Sequence, residues 1–242
     1  MQITDEIFQA FLKCETKAYL KGSNSDVVHP EIADWRQRVV ESYKSICCAR
    51  LRSAFSEDEC LDGPSTPHDF NNNRYRLLIN CVVQTQGLLT RIPVLERLPT
   101  PERTKRSPLV PIRFVPGEKI AKGDKLLLAF DAVVLSAVFG KMPAFGKIIH
   151  GQKQMTTKVG LDAWVKTARS TIDKFLAQQA SPPTLILNRH CTECEFRARC
   201  RAIALEKDDL SLLYNITEKE RKQQHNKGIF TVTQLSQWFG QN

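Results

Sequence analysis

Cys191, Cys194 and Cys200 stand in the stretch HCTECEFRARC, residues 190–200. Thiolates are strong, soft ligands, and a C-x2-C pair can turn two of them onto one centre. The spacing therefore points to a metal ion or an iron–sulfur cluster. Such centres usually take four ligands, so three cysteines leave one place open. His190 adjoins Cys191, but adjacent side chains rarely face the same centre. No second CxxC occurs in the chain, which excludes a zinc-ribbon pairing. The other thiols are Cys14, Cys47, Cys48, Cys60 and Cys81. Cys47 and Cys48 lie in an apolar helical stretch and Cys81 in an apolar strand, so these three read as small buried hydrophobes. Cys14 differs, standing between Lys13 and Glu15 near the end of the first helical segment.

Eight cysteines in 242 residues, without a basic and apolar leader, fit a reducing compartment better than a disulfide framework. A cytosolic protein is expected. Hydrophobic residues make up 42% and charged residues 25%, enough to bury a core. No run approaches 18 apolar residues, so no membrane span is expected. Lys and Arg total 35 against 26 Asp and Glu, a net charge of +9. That balance favours a polyanionic partner, with nucleic acid the first candidate.

The elements that must position the cysteines follow from periodicity. Residues 3–20 read as one helix, with Ile7, Phe8, Phe11 and Leu12 on its apolar face and Thr4 or Asp5 as cap. Pro30 marks a second helix start, after which Ile32, Trp35, Val39, Tyr43, Ile46 and Leu51 recur at helical spacing. SEDECLDGPSTPHDFNNN reads as a loop. Strand-like runs follow in YRLLINCVVQ, LLTRIPVLERL and LVPIRFVP, the last two separated by the basic, proline-rich PTPERTKRSP. DKLLLAFDAVVLSAVFG is an apolar helix, GKIIHG and TKVGL are short strands, and DAWVKTARSTIDKFLAQQ is an amphipathic helix. The cysteines lead into the helix FRARCRAIALE, and the tail reads as two helices around NKGI with Thr231 as a cap. The order predicts an α/β or α+β fold with a helical layer from the two ends. The five histidines, at 29, 68, 150, 190 and 225, show no ligand spacing and read as surface or loop residues.

FLKCETKAYLK together with HCTECEFRARC resembles the iron–sulfur members of the RecB-like nucleases, in the PD-(D/E)XK superfamily, relatives of the CRISPR-associated exonucleases. AIALEKDDLSLL and NKGIFTVTQLS are similar to the region after the cluster in one bacterial branch. The resemblance implies an α/β restriction-endonuclease-like core with N-terminal helices (1–188) and a C-terminal helical cluster-binding region (189–242). It implies that Cys14, Cys191, Cys194 and Cys200 hold a [4Fe–4S] cluster that fastens the chain ends together. Zinc on the same four thiolates, or no metal, are the alternatives. Closing so long a loop is worth roughly 5 kcal/mol in the chain-entropy picture, which would link cluster binding to folding.

A nuclease of that superfamily uses a strand Asp and a Glu-x-Lys pair to hold Mg²⁺ or Mn²⁺ and activate water. The matching stretches are IPVLER and PIRFV. They put Pro93 at the Asp, Arg113 at the Glu and Val115 at the Lys, while Leu126 and Phe130 replace a Gln and a Tyr. Glu118 and Lys119 are adjacent, Glu96 faces away, and Asp124 and Asp131 lack a strand carboxylate partner. An inactive nuclease homologue is the leading expectation, acting in DNA binding or as an accessory subunit beside a helicase or RNase H-like partner. The alternatives are a working Mg²⁺- or Mn²⁺-dependent exonuclease and a protein-binding module. Arg189, Arg197, Arg199 and Arg201 around the cysteines, and Arg103, Lys105 and Arg106 in the proline-rich loop, are the candidate phosphate contacts. NKGIFTV could offer backbone N–H groups to phosphate, or could simply be a packed helix pair.

Overall fold

A computed structural model describes residues 2–23, 31–64, 67–99, 107–178, 181–213 and 216–240. In chain order the elements are β1 (Ile3–Thr4), α1 (Asp5–Phe11), α2 (Glu15–Gly22), α3 (Glu31–Arg52), β2 (Cys60–Asp62), α4 (Pro67–Asn71), β3 (Leu77–Gln84), β4 (Leu88–Arg97), β5 (Leu109–Val115), α5 (Lys122–Phe139), β6 (Phe145–His150), β7 (Met155–Gly160), α6 (Asp162–Ala177), α7 (Arg197–Glu206), α8 (Glu218–Asn226) and α9 (Val232–Gly240). Pro30 and His29, and the cations Arg103, Lys105 and Arg106, lie outside the described residues.

Among the described residues the strands form one mixed seven-stranded sheet in the order β2-β3-β4-β5-β6-β7, with β1 also paired to β4. β4 runs antiparallel to both β3 and β5, while β2 lies parallel to β3 and β1 parallel to β4. The chain then crosses through α5 to β6, which lies parallel to β5. β7 returns antiparallel to β6. Helix α5 is apolar along its length because it is the central helix on the sheet: every residue from Leu126 to Leu135 is buried. It packs with α1 and α6 over one sheet face, while α3 covers part of the other. Gly146 of β6 permits the close approach of α5, since a Cβ there would meet Leu128 at 2.7 Å.

Four local readings are corrected. The segment 3–20 is a two-residue strand and two helices, broken before Cys14. Thr4 caps the first, its Oγ1 accepting from Ile7 N at 3.1 Å. The stretch 56–73 contains β2 and α4 rather than being all loop. On α3, Tyr43 and Leu51 pack on the sheet as expected, but Trp35, Val39 and Ile46 are exposed. They lie on a stripe turned away from the packed side, so helical spacing alone did not identify the buried face. His150 belongs to β6 and His225 to α8, rather than to loops.

The pairing of β3 with β4 is distorted at one point. Ile79 pairs with Val94 and Cys81 with Ile92, which sets Asn80 opposite Pro93. Asn80 has φ +54, a left-handed conformation that asparagine tolerates. Across this point both strands exchange faces without losing register. Leu78, Cys81, Ile92 and Leu95 all reach the larger core, and Ile79 and Val94 the smaller. Pro93 suits the slip because it has no N–H to leave unpaired. The reversal swings Thr90 to the α5 side of the sheet.

Candidate cluster site and buried arginine centre

The four thiols are brought to the lining of one cavity by two short pieces of chain and by α7, which carries Cys200. The first is the break between α1 and α2. Lys13 N and Cys14 N both donate to Ala10 O, at 3.0 and 2.8 Å, so the first helix closes on a tight turn. Cys14 then takes an extended conformation (φ −166, ψ 122) as the residue before α2. The second is a 3-10 turn at Arg189–Glu193, capped by Asn188, whose Oδ1 accepts from His190 N at 2.9 Å. Asn188 also joins the two pieces, donating from Nδ2 to Lys13 O at 3.3 Å.

Cys14, Cys191, Cys194 and Cys200 all line one cavity of about 60 Å³, with Asn188, His190, Leu185 and Phe196. Lys13, Lys17 and Arg197 surround it. Cys194 and Cys200 are buried and pack with Leu20 and Phe196 as a small core of their own. Asn188 N donates to Cys191 Sγ at 3.2 Å. Burial, and then the neighbouring thiols of Cys194, Cys14 and Cys191, push the Cys200 thiol up to about 11. Burial first, with Cys14 adding to it, also raises Cys191. As bare groups the Cys191 and Cys200 sulfurs therefore resist ionisation, and a positively charged body beside them would reverse that. Among the described residues, no group of three or more His, Cys, Asp or Glu side chains is drawn together to hold a metal ion.

Of the other cysteines, Cys47 and Cys81 are buried and Cys48 is half-buried. Cys47 and Cys48 belong to the core beneath α3, and Cys81 to the core beneath α5. None of these, nor Cys60, touches the four-thiol cavity. The cavity is pinned from outside by ion pairs: Lys17 and Lys21 of α2 to Glu195, and Arg36 of α3 to Glu193.

The second centre is the place where the nuclease resemblance expects carboxylates. On its outer edge β4 pairs with β1 at Leu88 and Leu89, and with β5 only from Val94 onward. The gap between is filled by Arg113. Its Nε donates to Asp131 Oδ2 at 2.6 Å and its Nη2 to Asp131 Oδ1 at 2.7 Å. Nη2 also lies 3.2 Å from Asp5 Oδ2, 3.2 Å from Thr90 Oγ1 and 3.3 Å from Arg91 O. Thr90 donates in turn to Asp131 Oδ1 at 2.6 Å. Burial alone would disfavour the guanidinium charge, but Asp131 and then Asp5 hold Arg113 protonated well beyond the usual range.

The remaining expected positions are apolar in structure as in sequence. Pro93 and Val115 are half-buried, and Leu126 and Phe130 are buried. Phe130 stacks on Phe8 with ring centroids 4.6 Å apart. Glu96 pairs with Lys147, and Glu118 accepts from Gln152 N at 2.9 Å, so both serve the scaffold. Sequence reasoning missed Asp5 and Thr90. Only the face reversal at Asn80 and Pro93 and the short strand β1 bring them to Arg113.

Arg189, Arg197, Arg199 and Arg201 are exposed. The α8–α9 hairpin turns at Gly228, with φ +80. Its N–H groups are already engaged: Thr233 N donates to Asp208 Oδ2, while Phe230 N and Thr231 N donate to Gln234 Oε1. The packed helix pair is therefore the reading that fits, since Asp208 already places an anion at the start of α9.

No family model matches the chain, and no curated protein matches it. Among solved structures, one described as "Crystal structure of SSO0001" is similar with a TM-score of 0.45 and 13% identity, over 83% of this chain and 86% of that chain. A likeness of that size supports no argument about activity. No helix among the described residues is long and apolar enough to cross a membrane.

Proposed function

We propose that the chain is a RecB-like nuclease homologue that holds a [4Fe–4S] cluster on Cys14, Cys191, Cys194 and Cys200, has lost metal-dependent cleavage, and acts on DNA by binding or as an accessory subunit. One observation carries the reading: four thiols from opposite ends of the sequence line a single cavity. Four thiolates with N–H···S support and nearby cations suit a cluster, because thiolate-ligated iron–sulfur cores are net negative and are tuned by such contacts. Zinc on the same four thiolates is the second reading. When bound, the cluster would supply a covalent clamp between α2 and the segment leading into α7.

Two further features support the kinship. The β3-β4-β5 meander, the α5 crossover and parallel β6 suit a restriction-endonuclease-like core. Arg113 with Asp131 on its guanidinium explains why that core would not cleave: a fixed positive charge stands where a divalent ion would have to be recruited. A partner of helicase or RNase H-like type would then supply the chemistry. The test is incubation of the anaerobically purified protein with labelled single-stranded and duplex DNA ends, with Mg²⁺ or Mn²⁺. Salt-sensitive binding without degradation is expected. Degradation abolished by EDTA would restore the active exonuclease, and absence of binding at every ionic strength would favour a protein-binding module.

A further inference from the structure

Nη2 of Arg113 carries two N–H bonds, yet four oxygen atoms stand within 3.3 Å of it. They are Asp131 Oδ1 at 2.7 Å, Asp5 Oδ2 and Thr90 Oγ1 at 3.2 Å, and Arg91 O at 3.3 Å. One NH2 group cannot satisfy four acceptors with good geometry. Two carboxylates, a hydroxyl and a main-chain carbonyl are instead the donor set that hard divalent cations take. The charge count agrees. One guanidinium against two carboxylates leaves the centre one negative charge in excess, whereas a divalent ion would balance it. Asp5 is nine-tenths buried, and its Oδ1 has no hydrogen-bond partner among the described residues. That is the orphan expected where the charge is under-compensated.

We propose that Arg113 Nη2 occupies an oxygen cage fit for a divalent cation, and that the cage of Asp5, Thr90, Arg91 O and Asp131 binds such an ion once the guanidinium is removed. Arg113 is then a resident cation that makes this centre independent of metal supply. None of the four oxygens comes from the stretch positions 93, 113 or 115 that the nuclease resemblance picks out. The inference does not rest on the cluster, whose failure would register separately as absent iron.

The experiment compares wild type, R113A and R113A/D131A in Mn²⁺ titrations read by calorimetry and by the electron paramagnetic signal of free Mn²⁺, with circular dichroism to follow folding. Mn²⁺ is a hard cation and discriminates against thiol sites. R113A is expected to take up one Mn²⁺ per chain, roughly tenfold or more tighter than wild type, and R113A/D131A to lose the gain. An R113A chain that is unfolded in chelator and refolds with Mn²⁺ supports the proposal equally. Folded R113A with no uptake above wild type overturns it, as does wild type binding as tightly as R113A. R113A unfolded with and without Mn²⁺, or uptake that survives D131A, also overturns it.

Discussion

Lys17 Nζ of α2 lies 2.5 Å from Glu195 Oε2, 178 positions further along the chain, and Lys21 Nζ lies 3.1 Å from the other oxygen of the same carboxylate. The Glu195 side chain is only 7% exposed. This pair of lysines on one buried acid docks the early helix onto the segment that carries Cys191, Cys194 and Cys200.

Burial opposes the Glu195 charge, but the hydrogen bond and charge of Lys17, with Lys21 assisting, hold the carboxyl at about 2. A carboxyl depressed in the folded state adds stability that is complete above its ordinary value of 4.5 and is lost as pH falls toward 2. E195Q should therefore melt below wild type at neutral pH, and the gap should close progressively below about 4.5. Thermal melts of the metal-free, reduced proteins across that range check this. A gap that stays constant with pH would mean that Glu195 does not act through its charge.

Cys14, set apart in the sequence by its place between Lys13 and Glu15, lines the cavity of the late cysteines. C14S should lose bound metal and, with it, up to roughly 5 kcal/mol of stability by the loop-closure argument. C48S alters a thiol outside that cavity and should keep full metal content. Metal analysis with denaturant unfolding of both variants reads the difference.

Arg197, Arg199 and Arg201 are exposed on the helix that begins beside the cavity. If they meet phosphates, R197A/R199A/R201A should bind duplex DNA more weakly and with a shallower salt dependence. The slope of log affinity against log salt should fall by up to about 2.7, near 0.9 per lost contact. A fluorescence titration at several salt concentrations checks this, and an unchanged slope would remove these residues from the interface.

Much of the fold was legible because its signals are local. The apolar run 126–135 has to be a helix buried on most sides, and the alternating runs around residues 77–97 and 109–115 have to be strands. Thr4, Thr231 and Gly228 mark their turns by residue type. What escaped was set by distant partners. The break at Lys13 and Cys14 contains neither Gly nor Pro, and the Lys13 carbonyl is met by Asn188 Nδ2 from the other end of the chain. The α3 stripe of Trp35, Val39 and Ile46 has core composition but no facing element among the described residues. The candidate thiols were readable from spacing and resemblance. The arginine centre was only half readable: Arg113 stood out as a misplaced cation, but its Asp5 partner lies 108 positions away.

Metal analysis decides most directly whether the four thiols share one inorganic core. The protein is purified without oxygen, and iron, acid-labile sulfide and zinc are counted per chain beside a visible spectrum. Four irons and four sulfides, with a broad absorption that bleaches on oxidation or loss of iron, are the expected result. One zinc and no colour, or a well-folded chain with neither metal, would contradict it.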